Sequence, residues 1–209
     1  MKRTLITLAF IIACIVTYAQ SFEGYIVYKN SYKSKTDNLS DSMMTAMMGD
    51  TQKWYTKGGE YKSEINGTFM QWQIYNKADN KLYTKIATSN DALFNYADVN
   101  TDEIQNVQLN KGVTEVLGYK CDELILTCKS GIQKYYFSSK LPLDSKLFEK
   151  HKYGNWYEFL NRTNAVPLKI ILDNPQLSLE SVATEIKKVP LDKNLFVLPA
   201  GMNATINPY

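Results

Sequence analysis

Side chains able to do chemistry are scarce in this sequence. His151 is the only histidine, so no multi-histidine zinc or iron site can form. A Ser-His-Asp triad would have to run through it. His151 sits in Glu149-Lys150-His151-Lys152, a charged run that reads as a solvated surface. No Gly-x-Ser-x-Gly elbow accompanies it, and neither Gly-rich phosphate-loop pattern is present. Spacing singles out no carboxylate pair for glycoside chemistry. The residues therefore point away from an enzyme, and no cofactor or metal is expected.

The sharpest local feature is a cluster of thioethers. Met43, Met44, Met47 and Met48 fall within Ser40–Gly49, which has a helix cap at Ser40 or Asp41 and a stop at Gly49. On a helix they cover one face about 140° wide. Met is flexible and polarizable and suits surfaces that accept varied apolar ligands. Such a helix could lie as a lid over an apolar cleft, or simply pack into a core. Thioethers also select Cu(I), but no His or Cys lies nearby. Further along, Thr68–Tyr75 alternates with period two and places Met70, Trp72 and Ile74 on one strand face. These seven residues, Met43, Met44, Met47, Met48, Met70, Trp72 and Ile74, are the candidate lining of a ligand cavity.

Cys121 and Cys128 fall in one predicted strand, Tyr119–Cys128. Seven residues of strand separate them by roughly 23 Å and turn them to opposite faces, far beyond the ~7 Å limit of a disulfide. Two buried free thiols are expected.

The positions around these residues show how the chain is organised. Lys2-Arg3, an apolar run from Leu5 to Val16, and Thr17-Tyr18-Ala19-Gln20 have the form of a secretory signal peptide. The run is too short to span a bilayer. Cleavage is expected after Ala19, with Gln20 as the alternative. Ile11-Ile12-Ala13-Cys14 also resembles a lipobox, so a membrane anchor is expected only if Cys14 is lipidated. Against that, Ile15 and Val16 continue the apolar run. An exported protein in the periplasm or outer envelope of a Gram-negative bacterium is the resulting expectation, with residues 21–209 as one domain. Removing Lys2 and Arg3 from the 24 Lys+Arg leaves 22 against 21 Asp+Glu. That balance gives no argument for nucleic acid or for polybasic membrane binding. Arg162 is then the one remaining arginine, whereas Tyr is abundant at 15, a residue suited to half-wet faces and clefts.

Most of the chain alternates with period two. Predicted strands are Phe22–Lys29, Lys53–Lys57, Glu60–Ile65, Thr68–Tyr75, Lys81–Ile86, Leu93–Ala97, Ile104–Leu109, Tyr119–Cys128, Ile132–Ser138, Val166–Asp173 and Leu179–Val189. Gly58-Gly59, Asn66-Gly67, Gly118 and Ser130-Gly131 read as turns. Leu143–Lys152 and Asn155–Asn161 read as one or two short helices. A mainly β (α+β) fold follows: an antiparallel meander, a strongly curved sheet or a barrel, with few helices.

Several short motifs carry a family likeness. Val166-Pro167-Leu168-Lys169-Ile170, Ser181-Val182-Ala183-Thr184-Glu185-Ile186 and the run Val189–Gly201, with Leu195-Phe196-Val197-Leu198-Pro199, occur in order. Val116-Leu117-Gly118-Tyr119-Lys120-Cys121 precedes them. The chain resembles a family of exported bacterial proteins related to the outer-membrane lipoprotein carrier superfamily. The resemblance implies an unclosed antiparallel barrel, a half-open cup with short helices covering a concave face that holds acyl chains. Lipid or another apolar small molecule is the partner it implies. The carriers control their lid with an arginine, whereas Arg162 matches no motif of theirs, and no functional residue carries over. The competing expectation is an interaction module with a filled core that meets another envelope protein.

Overall fold

The computed structural model describes residues 21–208. The segment read as an export signal, with Cys14 and both expected cleavage positions, lies outside the described residues. Twelve strands form one sheet: β1 (Gly24–Ser34), β2 (Thr51–Lys57), β3 (Glu60–Ile65), β4 (Met70–Asn76), β5 (Lys81–Ile86), β6 (Ala92–Tyr96), β7 (Ile104–Val116), β8 (Tyr119–Cys128), β9 (Gly131–Pro142), β10 (Ala165–Asp173), β11 (Leu177–Lys188) and β12 (Ala204–Ile206). Their lateral order is β12-β6-β5-β4-β3-β2-β1-β11-β10-β9-β8-β7. Two meanders, β1–β6 and β7–β11, therefore meet along the β1–β11 seam. Every neighbouring pair is antiparallel except β12–β6, which is parallel, so the sheet is mixed at one edge.

The connectivity forces the sheet to curl. Tyr96 ends β6 near one edge and Ile104 starts β7 at the other. Ten flat spacings would hold these strands roughly 48 Å apart. Eight residues of extended chain reach at most about 29 Å. The edges can be joined only if the sheet bends into a cup, and it does so without β7 pairing with β12. The result is an unclosed barrel.

The segment between β9 and β10 crosses the mouth of the cup. It holds a 3₁₀ turn at Ser145–Phe148, another at Tyr153–Asn155, and α2 (Trp156–Thr163). Phe148, His151, Phe159 and Leu160 on it are buried against the concave face. The β6–β7 link is tied beneath it, since Lys152 N and Tyr153 N both donate to Ala97 O at 2.6 and 2.9 Å. The turn Gly58-Gly59 joins β2 to β3 with φ +60° and +93°, a conformation that favours glycine. A Cβ on Gly59 would sit 2.6 Å from Leu147 O, so this turn docks directly under the roof. A second, smaller cluster lies on the convex face, where Leu198, Met202 and Ala204 cover Trp72, Ile74, Tyr83, Ala92 and Phe94.

Three expectations need correction. His151 is 1% exposed: the flanking Glu149, Lys150 and Lys152 side chains point to solvent, but the chain turns at Phe148 and drives the imidazole inward. Asn66-Gly67 does not make a tight hairpin, because β3–β4 pairing stops at Glu64↔Trp72. The segment serves α1 (Asp41–Met48) instead: Thr68 N and Phe69 N donate to Ala46 O and Met47 O at 2.8 and 3.0 Å. Gly67 lets the chains approach, as a Cβ there would lie 2.4 Å from Met47 O. Finally, Met70, Trp72 and Ile74 do not share a face. A bulge between Met70 and Trp72 sets Met70 opposite Ile86 while Trp72 faces Lys85, and it switches Met70 to the other side.

Candidate functional site

Alternation along the central strands decides which side chains reach the concave face. In β1 these are Ile26, Tyr28 and Asn30. In β2 they are Gln52, Trp54 and Thr56, because Tyr28 opposes Gln52 and Ile26 opposes Trp54. In β3 and β4 the cross-strand pairs Trp54↔Ser63, Ser63↔Gln73 and Tyr61↔Tyr75 continue the same face. Gln73↔Thr84 extends it to β5, and Asn30↔Ser181 extends it to β11.

The face is therefore divided in two. Beneath the roof it is aromatic. Tyr75 stacks on Phe148 at 6.2 Å, Trp156 meets Phe159 at 5.5 Å, and Phe159 stacks on Tyr135 at 4.3 Å. Toward α1 it carries an uncharged polar row of Ser181, Asn30, Gln52, Ser63, Gln73 and Thr84. Side-chain bonds link neighbours in this row: Ser181 Oγ donates to Asn30 Oδ1 at 2.7 Å, Gln52 Nε2 to Ser63 Oγ at 2.9 Å, and Gln73 Nε2 to Thr84 Oγ1 at 3.2 Å.

A cleft of about 160 Å³ opens where the two halves meet, lined by Tyr28, Gln52, Trp54, Tyr61, Ser63, Gln73, Trp156, Pro167, Ile170 and Ser181. Trp54, Tyr61 and Trp156 form one wall, with ring centroids 6.0–6.1 Å apart. The floor is fixed by Tyr28, whose hydroxyl donates to Pro167 O at 2.6 Å. Burial raises the Tyr28 and Tyr61 phenols far above their ordinary range, so both stay protonated. Among the described residues, no Asp, Glu, Lys, Arg or His lines the cleft.

His151 stands behind this wall. Its Nε2 lies 2.8 Å from the Tyr61 hydroxyl and its ring stacks on Tyr61 at 5.5 Å. Its Nδ1 has no hydrogen-bond partner among the described residues, so no carboxylate orients it as a triad would require. Burial pushes its pKa down to about 3, and the ring is neutral at physiological pH. Among the described residues no group of three or more His, Cys, Asp or Glu could hold a metal ion. Cys121 and Cys128 are both buried and free. Burial raises each thiol, that of Cys128 to about 11, which leaves it a poor nucleophile.

The residues expected to line a cavity are not among the described residues that line this cleft. The α1 helix forms as predicted, with Ser40 Oγ accepting from Met43 N at 3.2 Å and Gly49 ending it. It packs on β1, and its end reaches the polar row where Asn30 Nδ2 donates to Gly49 O at 3.4 Å. Met44 is buried, Met43 is 52% exposed, and Met47 and Met48 are intermediate. None of the four borders the cleft. Trp72 and Ile74 belong to the convex cluster, and Met70 sits beyond the bulge. The lining is instead Tyr28, Gln52, Trp54, Tyr61, Ser63, Gln73 and Trp156 with their neighbours. One signal for it was present in the sequence: Gln52 and Gln73 occupy the same register as Trp54 and Tyr75, and polar residues on a core-facing register break the binary pattern.

The chain is thus a curved, unclosed, mainly β cup with an aromatic and uncharged cleft on its concave side. No protein-family model matches it, and no curated protein does. Among solved structures it is similar to an uncharacterized conserved protein from Thermus thermophilus, with a TM-score of 0.46 and 7% identity over 87% of this chain and 91% of that one. It is also similar to a LolA superfamily protein from Nitrosomonas europaea, with a TM-score of 0.38 and 8% identity over 85% and 91%. LprF from Mycobacterium bovis is a third such structure, with a TM-score of 0.31 and 9% identity over 86% and 90%.

Proposed function

We propose that this is a non-enzymatic, exported envelope protein that binds a lipid or another apolar small molecule in the concave cleft. One observation carries this reading: the cup leaves an opening on its inner face at a place walled by Tyr28, Trp54, Tyr61 and Trp156. Concave, aromatic-walled openings with a few convergent polar groups are the usual form of small-molecule sites. The cleft's 160 Å³ is close to the roughly 150 Å³ that accepts one benzene and below the roughly 300–1,000 Å³ of sites enclosing a drug-sized ligand. It therefore takes one end of a ligand, and the remainder lies outside it. Native mass spectrometry of the protein extracted from its own envelope should show a bound apolar molecule, and a naphthalene-type dye should be displaced by it. Absence of both sinks the reading. Export is supported by the form of residues 1–20, and mass spectrometry of the mature N-terminus tests it. A chain starting at Ser21 or Gln20 supports release; a diacylated Cys14 replaces it with an anchored protein.

A second reading, an assembly module for another envelope protein, is favoured by the β7 edge. β7 ends the sheet, its Ile104–Asn110 stretch carries no charge, and Leu109, Val113 and Leu117 are 45–47% exposed along the β7–β8 hairpin. An uncharged edge can accept a further strand. Cross-linking from position 108 in whole cells tests it; failure to capture any envelope protein there would remove the support.

A further inference from the structure

We infer that the cleft selects an uncharged amphiphile, an apolar chain ending in hydroxyl, amide or ester groups, and rejects ionised acids of the same chain length. This rests on the reading of the cleft as a ligand site and adds the chemical class of its occupant. Two features carry it.

The first is the composition of the polar row. Gln52, Ser63, Gln73 and Ser181 line the cleft, and none of the described residues that line it bears a charge. An ionised carboxylate entering it would lose water and gain no cation, which is strongly unfavourable. His151 offers no help, since it lies behind Tyr61 rather than in the lining, and it is neutral.

The second feature is unused hydrogen-bonding capacity. Each Gln amide has two donors and an acceptor oxygen. Gln52 donates one N–H to Ser63 and Gln73 donates one to Thr84. Each keeps its oxygen and its other N–H unengaged among the described residues. Ser63 receives the Gln52 bond and keeps its own hydroxyl hydrogen. Donors and acceptors thus stand side by side on the same sheet face as the rings of Trp54 and Tyr61, two residues along β2 and β3, with Trp156 also lining the cleft. A head that both donates and accepts, such as a glycerol or an amide, matches that row. Its chain would lie on the rings.

The test uses the cleft's own tryptophans. Trp54 and Trp156 line it, and Trp72, the third of the chain's three, sits on the convex face. In a Trp72→Phe background, emission is titrated at pH 8 with mono-octanoylglycerol and with octanoate. Mono-octanoylglycerol should bind at least about tenfold more tightly. The pair Gln52→Leu and Gln73→Leu should bring the two within about threefold, and Gln73→Lys should reverse the order. Octanoate binding as tightly as the glyceride to the unsubstituted cleft would overturn the inference while leaving ligand binding intact. If neither compound, nor the apolar dye, changes the emission, the ligand-site reading itself falls and this inference falls with it. The comparison in the unsubstituted cleft decides the matter even if the leucine variants fold poorly.

Discussion

The two halves of the concave face use the same strands to opposite ends. Under the roof, each ring from the sheet meets a ring from the 145–163 segment, and Phe148, Phe159 and Leu160 are fully buried. A few residues further along the same strands, Gln52, Ser63 and Gln73 replace aromatics, and among the described residues the roof reaches their cleft only through Trp156. The first half is a core. The second is a surface folded inward. A half-open cup is thus not empty by default; its space is set by how far the roof extends. Changes in the packed half should cost stability, whereas changes in the polar half should alter what binds.

The largest effect belongs to Phe159→Ala. This ring contacts Tyr135, Phe137 and Trp156, and removing it leaves a cavity that neighbours on two elements cannot fill. About 3–5 kcal/mol should be lost, read from urea unfolding. A loss below ~1 kcal/mol would mean that the roof is loosely docked and that the contrast between the halves is false.

His151 tests the same half by pH. Its native pKa of about 3 lies below the ordinary value near 6.5, so the folded state holds the neutral form. Stability from this site is complete above pH ~6.5 and falls as the pH drops from there toward 3, by up to roughly 1.4 kcal/mol per unit. At pH 4.5 the loss relative to pH 7.5 should approach 2–3 kcal/mol by the same relation. Depressed carboxylates such as Asp50, held down by Lys29 and Asn66, also weaken the fold in acid. His151→Phe isolates the histidine share: its curve should be flatter than that of the parent between pH 7.5 and 4.5. Parallel curves would place His151 in water.

Gly58 and Gly59 form a paired measurement at the edge of the roof. Both have positive φ, but a Cβ on Gly58 meets nothing within 4 Å while one on Gly59 meets the Leu147 backbone. Gly58→Ala should cost about 1 kcal/mol, the strain of a left-handed alanine. Gly59→Ala should cost more than ~2 kcal/mol, because strain and displacement of the 3₁₀ turn combine. Equal losses in thermal or urea melts would show that the turn does not bear on the roof.

The fold was legible where periodicity ruled. The predicted strands, the α1 caps at Ser40 and Gly49, and the paired glycines at 58–59 emerged from local chemistry that tertiary contacts left in place. The site was not legible, for three reasons that lie outside any local window. The β4 bulge moved Met70 away from Trp72 and Ile74, and nothing in Phe69–Gln73 announces it. The C-terminal segment claimed Trp72 and Ile74 for the convex side, and a face read as apolar cannot say which layer will cover it. His151 was hidden by its neighbours: three charged residues beside it spoke for a surface, yet they project outward because the backbone turns at Phe148. The methionines formed the predicted helix, but its position over β1 depends on the Asn66–Phe69 segment that clasps it.

Gln73→Leu should have the smallest effect on stability and the clearest effect on specificity. The leucine removes one side-chain bond of 3.2 Å to Thr84, whose net contribution is about 0.5–1.5 kcal/mol. It also removes an amide whose oxygen has no partner among the described residues, and it adds apolar surface beside Tyr61 and Trp54. These terms oppose one another, so the net change in unfolding free energy should stay within about 1 kcal/mol. The difference from Phe159→Ala would then exceed ~2 kcal/mol although both side chains face the same concavity. A loss as large as that of Phe159→Ala would make the polar row a structural element, with Gln73 packed as tightly as the rings under the roof. A near-silent melt accompanied by a shift in ligand preference would mean that the fold tolerates this amide without depending on it, and that its place on the inner face is set by what the cleft must recognise.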